Sequence, residues 1–287
     1  MIPSLPRPLW LRAGTAAYLL AFLAFLFLPL IVVGVFAFND APYPAPPWRG
    51  FTLDWFLGNA AAARTGLFAD RELLGSLWTS GIVAAWVTVL SALLGTSNAF
   101  LLERGRFRGK QTLSVLMLAP LVIPGVILGI SILAFASRIA EFADDAFGLE
   151  LDFLRPGLPL VVLGQFSYIA TIATLTISAR LRRFDPTLEE AALNLGASKA
   201  AVFRTILLPY LRPALLGSAG ISFLMSFADF NTTLMVVGSD APLTVMMYGR
   251  MREGATPVLN AVSLFLMIAS AVLALTLLRR SGSRAAA

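Results

Sequence analysis

An all-α integral membrane protein with six transmembrane helices is the fold class predicted for this chain, on three observations. Hydrophobic residues make up 58% of its 287 positions and charged residues 13%, far from the soluble norm of about 45–50% apolar and about 25% charged. Six apolar runs reach the length of about 20 residues that a helix needs to cross a bilayer core. The Lys and Arg residues divide unevenly between alternate connecting segments, fifteen against seven, which is the pattern produced when basic residues stay on the cytoplasmic side.

The first run, 15–38, follows Arg7 and Arg12 as a secretory signal would. It is longer than the roughly 7–15 residues of a cleavable core, so it reads as an uncleaved first span. The segment 39–75 is then the longest stretch outside the membrane. Pro42, Pro44, Pro46 and Pro47 make its start extended. Trp48, Phe51, Trp55 and Phe56 are expected in a short turn or helix at the membrane interface, as anchors or as substrate contacts. The second span is expected over 77–101. The third, over 113–136, contains Pro120, Pro124, Gly125 and Gly129 and should be a kinked helix with a small-residue contact face. The fourth, fifth and sixth are expected over 158–179, 214–237 and 258–278.

The larger basic set is Arg7 and Arg12; Arg104, Arg106, Arg108 and Lys110; Arg180, Arg182, Arg183, Lys199, Arg204 and Arg212; and Arg279, Arg280 and Arg284. Several of the opposite seven sit beside acids such as Asp70, Glu72, Glu141, Asp152 and Glu253. Both termini and the 180–212 segment are therefore expected in the cytoplasm. The net charge of +6 is scattered between apolar runs, which argues against nucleic acid as a partner. With no Cys and no His, thiol chemistry, imidazole acid–base catalysis, disulfides and the usual zinc ligands are excluded. Gly105-Arg106-Phe107-Arg108-Gly109-Lys110-Gln111 is one residue short of a phosphate-binding loop and has Gln where Ser or Thr would hold magnesium. It reads as a basic turn near anionic headgroups.

The segment before the fifth span has its own helix signals. Asp185 can cap a helix that begins at Pro186, Thr187 with Glu190 offers a second capping register, and Glu189 and Glu190 put negative charge at the positive end of the helix dipole. Leu188, Ala192, Leu195, Val202 and Phe203 fall near one face at helical spacing, predicting a short amphipathic helix parallel to the membrane. Gly196 allows a bend or a close partner, and Pro209 with Pro213 is expected to end the segment.

This segment also carries a specific spacing. Glu190-Ala191-Ala192, three residues, Gly196, nine residues, then Ile206, one residue, Leu208 and Pro209 reproduce EAA-x3-G-x9-I-x-LP at all seven positions. On these residues the chain resembles the permease subunits of binding-protein-dependent ABC importers, with the likeness running from about 74 to 280. Phe38-Asn39-Asp40 with Trp48-Arg49-Gly50-Phe51, Gly238-Ser239-Asp240-Ala241-Pro242, and Pro257-Val258-Leu259-Asn260-Ala261 are similar to the spermidine/putrescine branch. Ala228 stands where many of that branch carry a second acid next to Asp229, and iron(III)-type and aminophosphonate-type relatives show similar segments.

The resemblance implies a type I ABC importer permease fold with a cytoplasmic coupling helix in the bacterial inner membrane. It implies ATPase docking by Glu190, Ala191, Ala192, Gly196, Ile206, Leu208 and Pro209. The implied partners are two ABC ATPase subunits, a second permease, a periplasmic binding protein and membrane lipid. The chain itself is expected to bind no cofactor, ATP and magnesium residing on the ATPase, and not to be an enzyme. The expected organisation is 1–75 for tail, first span and outer loop, 76–280 for the permease domain with its coupling loop at 186–209, and 281–287 for a short tail. Import of a polyamine is the implied task, with iron(III) or an aminophosphonate as the alternative cargo. An ion-coupled secondary transporter is the alternative class, against which no internal inverted repeat is visible.

Inside the spans Asp229 is the one acid, and a charge there costs about 2.5–3.5 kcal/mol even on permissive scales. It is expected either to face a water-filled path that attracts a cation or to cap a broken helix or pair with an Arg. Asn231 and Thr232 are further pathway candidates; Gln165, Ser167 and Tyr168 in the fourth span and Ser97 with Asn98 in the second are softer ones, for each of which the default expectation is a hydrogen bond that joins helices.

Overall fold

The computed structural model describes residues 9–254 and 256–282. Arg7, Arg284, Ala255 and the tail residues 1–8 and 283–287 lie outside the described residues. Twelve α-helices occur in chain order: α1 Leu9–Phe36, α2 Asp54–Leu57, α3 Arg71–Arg104, α4 Lys110–Val122, α5 Gly125–Phe147, α6 Leu158–Leu181, α7 Thr187–Asn194, α8 Lys199–Val202, α9 Leu208–Phe227, α10 Asn231–Val236, α11 Leu243–Glu253 and α12 Val258–Gly282. Among the described residues β-pairing is confined to two isolated bridges, Asn39 with Phe51 and Asn59 with Arg64. Among the described residues six helices are long and apolar enough to cross a membrane: Trp10–Phe36, Arg71–Arg104, Gly125–Phe147, Leu158–Leu181, Lys199–Phe227 and Val258–Thr276. Helices suit lipid because each backbone donor finds its acceptor within the same segment.

Two compact units are present, one formed by the chain up to Arg71 with Arg250–Ile268, the other by Glu72–Gly249 with the residues from Ala269. In the first, the loop after α1 is a small folded piece. Trp55 is buried and donates its indole N–H to the Asn39 carbonyl at 2.9 Å. It is therefore a core residue of the loop and not the interfacial anchor expected, whereas Trp48 and Phe51 are exposed. Arg64 lies over the Trp55 ring and bonds Asp40 and Asp54, and the Asp40 hydrogen bond raises the guanidinium above its ordinary pKa.

The second unit is organised around α6, whose Leu160, Val161, Ile169, Ala173 and Ile177 are buried. Val83 and Val87 of α3, Ala136 of α5 and Val236 of α10 join its core cluster. Small residues let these helices approach closely. A Cβ added to Gly95 would come within 2.8 Å of the Ala173 Cβ, and one added to Gly129 within 2.8 Å of the Met235 Cβ.

Three boundaries differ from expectation. The third span does not cover 113–136, because Pro124 forces Ile123 into an extended conformation and ends α4 at Val122. Thirteen residues are too few to cross, and α5 is the spanning helix, ending in a left-handed Gly148 whose N–H bonds the Asp144 carbonyl. The fifth span does not run to Val237; α9 stops at Phe227 and α10 starts after Ala228, Asp229 and Phe230. The second span is longer than the expected 77–101, α3 running from Arg71 to Arg104, and α11, in the connection to the last span, has its start tied by the Leu243 N–H to the Ser80 hydroxyl at 2.8 Å.

Candidate docking segment and intramembrane polar cluster

The segment between α6 and α9 builds its docking candidate from two short helices instead of one. Asp185 Oδ1 accepts the Thr187 N–H at 3.0 Å, so the Asp185 register of the two expected caps is the one formed. The same bond holds the Asp185 carboxyl below its usual pKa. Gly196, at φ +86°, closes α7: its N–H bonds Leu193 O, and the Ala197 N–H bonds Ala192 O. That is a Schellman ending, and the left-handed turn is why the expected face running on to Val202 and Phe203 is broken after Leu195. Ser198 then caps α8 by accepting the Ala201 N–H.

Pro209 and Pro213 do not end the segment as expected; they lie within the helical stretch Lys199–Phe227. Pro209 has no N–H and its ring crowds the carbonyl four residues back. The wider π-turn Phe203–Leu207 just before it relieves that conflict, with the Leu208 N–H reaching Phe203 O.

Most of the seven motif positions lie open. Glu190, Ala191, Gly196, Leu208 and Pro209 are exposed, while Ala192 and Ile206 are half-buried. Leu188 is 52% exposed and Leu195 89%, so the apolar side of α7 is uncovered by this chain. The Glu190 carboxylate has no hydrogen bond or ion pair within the chain among the described residues. The buried side chains of the stretch are Val202 and Leu207, both at variable positions of the motif, and Leu207 packs with Leu181, Phe184 and Leu211.

Sequence reasoning missed what holds α7. Arg104, at the end of α3, grips Glu189 with Nη2–Oε1 2.7 Å and Nη1–Oε2 3.2 Å. Its neighbour Glu103 accepts from Arg182, with Nη2–Oε1 2.7 Å and Nε–Oε2 3.1 Å, which raises the Arg182 pKa. The Arg104 guanidinium also lies over the Phe184 ring. These partners are about 80 positions apart in sequence, and no local pattern pairs them.

The second candidate cluster forms where the fifth span breaks. Tyr168 donates its hydroxyl to Asp229 Oδ1 at 3.0 Å, and Asp229 Oδ2 accepts both the N–H and the hydroxyl of Thr233, at 2.9 and 2.7 Å. Gln165 donates to the Thr233 hydroxyl at 2.8 Å and accepts from Ser226. Gln165, Tyr168 and Asp229 are thus brought together, and Asp229 caps α10 as one expected reading had it. Asn231 stays exposed and outside the network, and Thr232 is buried against Gly125 and Gly164 with its hydroxyl unpartnered. Ser226 and Thr233 were missed, although hydroxyls three before and four after an acid are the spacing from which it can be reached along a helix. Ser97 and Ser167 bond carbonyls of their own helices instead of joining helices; Thr171 does the joining, to Met117 O of α4.

Residues 91–281 match the family model described as the binding-protein-dependent transport system inner membrane component. The chain belongs to that family. The permease is 30% identical over 245 residues to the putrescine transport system permease protein PotI of Escherichia coli K12, covering 85% of this chain and 82% of that one. It is 28% identical over 258 residues to the spermidine/putrescine transport system permease protein PotC of Haemophilus influenzae, covering 90% and 92%. Its fold is that of a chain in a bacterial ABC transporter that imports alginate, with a TM-score of 0.71, 17% identity and 96% of both chains covered. A chain of the MetNI methionine ABC transporter matches at a TM-score of 0.56, 17% identity and 74% and 94% coverage. The permease is therefore a multi-pass inner-membrane transport subunit of the type I fold, and a secondary transporter is not favoured.

Proposed function

We propose that the permease forms half of the passage of an ATP-driven importer for a polyamine such as putrescine or spermidine. The observation that carries the coupling is α7: an exposed apolar side with Leu188 and Leu195, beside an unpaired Glu190, on a helix held in place at its other side. Such a surface fits a cleft on a cytoplasmic ATPase, with Glu190 meeting a basic group there. ATP and magnesium belong to that partner. A second permease completes the passage, a periplasmic binding protein delivers the solute, lipid surrounds the spans, and both termini face the cytoplasm. Closure of the ATPases would rock the two permeases between inward- and outward-open states.

The names of the polyamine relatives support the cargo, as does Asp229, an acid at the break of the fifth span. In this reading Asp229 and Tyr168 with the exposed Asn231 face the passage, the other two pathway candidates, Gln165 and Thr232, lie buried behind them, and a cation competes with Tyr168 for the Asp229 carboxylate. The test is uptake of labelled putrescine into vesicles holding the whole transporter. Uptake should require ATP and the binding protein, and Glu190→Arg should abolish retention of the ATPase on the permease. Uptake without ATP, or retention unchanged in Glu190→Arg, would sink the coupling; ATP-dependent import of another solute, with putrescine ignored, would sink the cargo.

A further inference from the structure

We propose that Glu103 and Arg104 form a two-pair clamp that carries the movement of α7 into α3. It rests on the docking reading above. α7 has no buried residue of its own, so apolar packing does not hold it. Its attachments are the Asp185 cap, its covalent ends and the Arg104–Glu189 fork, which is bidentate and therefore fixes angle as well as distance. The neighbouring fork joins Glu103 to Arg182, just past the end of α6.

The two pairs have opposite order, acid then base on α3, base then acid on the facing segment. A slip of one position would set Glu103 against an acid or Arg104 against a base, so the pattern tolerates a single register. Exposed ion pairs contribute little to stability, and Arg182 is 72% exposed. The purpose that fits two well-aligned forks on such a surface is geometric: α7 cannot shift without pulling the end of α3. Phe184 completes the joint, buried among Leu181, Leu207 and Leu211, under the Arg104 guanidinium and edge-on to Tyr210. A push on α7 thereby reaches α3 through charge and α9 through packing.

The test compares Arg104→Glu, Glu189→Arg and the swap carrying both, each in the assembled transporter with its ATPase and binding protein. Three quantities are read: ATPase retained on the permease, ATP hydrolysed, and putrescine taken up per ATP. Each single reversal should keep the ATPase bound while uptake per ATP falls about fivefold or more, and the swap should restore it. Arg104→Lys, which keeps charge but loses the fork, should fall between. Singles that couple normally, or a swap that fails to restore coupling, would overturn the clamp. So would loss of ATPase retention in the singles, since the pair would then be part of the contact. Failure of docking itself shows separately, as normal retention in Glu190→Arg. If the Arg104 variants do not reach the membrane, Glu189→Gln asks the same question from the α7 side of the same fork: ATPase retention should stay and uptake per ATP should fall, and normal uptake per ATP would overturn the clamp.

Discussion

The docking segment and the break in the fifth span are both interruptions of regular helix, and they handle polar groups in opposite ways. At the break the two strongest groups are answered from within, although the buried Thr232 hydroxyl beside them is not: both Asp229 oxygens accept hydrogen bonds, and Gln165 uses its amide in both directions. On α7 the outward groups are left open, with Glu190 unpaired and Leu195 almost fully exposed. A buried polar group without partners is costly, so a cluster inside the bundle has to close on itself. An exposed apolar side next to an unanswered charge is tolerable in water only in small patches and marks a surface built for another molecule. The first region closes within this chain; in the proposed reading the second is the part that meets a partner.

That contrast is broken most directly by Gln165→Leu, the substitution of largest expected effect on the permease alone. It leaves the buried Ser226 hydroxyl without its acceptor, at about 1–3 kcal/mol, and takes one donor from the Thr233 hydroxyl, which keeps its bond to Asp229. Thermal unfolding of the purified permease in detergent should move clearly downward, while ATPase retention on the folded fraction should be unchanged. A stability equal to that of the parent would mean that the cluster is not closed as described.

Leu195→Asp should do the reverse. The side chain is exposed and touches little, so the unfolding temperature of the isolated permease should stay put. Interface anchors commonly contribute more than about 1.4 kcal/mol, a tenfold change in affinity, and retention of the ATPase should fall by about that factor. A variant that unfolds earlier but still binds the ATPase would make Leu195 structural and remove the main support for the docking surface.

How far each region could be read from sequence depends on the range of the interactions that make it. The Asp185 cap and the Gly196 turn were legible because they depend on neighbours within a few positions. The Arg104–Glu189 and Glu103–Arg182 forks were not, because topology brings their partners together. Hydropathy located six spans but misplaced the third, since Leu113 to Val122 is as apolar as the start of α5; Pro124, read as a kink, is a full stop. The fifth was overrun for the same reason, apolar residues continuing past the point where Asp229 takes the Thr233 N–H from the helix. Leu207 shows the limit of motif reading: the named positions are mostly surface, and the variable one between them is core.

The smallest effect expected belongs to the first turn of α7, where the comparison can be sharpened without touching either cluster. Asp185 is fully exposed and acts only through the Thr187 N–H. Asp185→Asn keeps an oxygen acceptor and should leave the turn intact; Asp185→Ala removes it and should speed amide exchange at 187–190 severalfold while exchange in α10 is unchanged. The pH dependence has a definite sign. Because the bond lowers the carboxyl pKa in the folded chain, its contribution is complete at neutral pH and disappears only as pH falls through the lowered value, so a transporter working near pH 7 keeps the cap. Faster exchange confined to α7 in the Ala variant, with uptake per ATP little altered, would mean that the cap starts the helix while the Arg104 fork positions it. If Asp185→Ala instead uncouples transport as strongly as Arg104→Glu, the start of α7 and its attachment to α3 act as one element, and the load is shared between a cap of short reach and an ion pair that spans 85 positions.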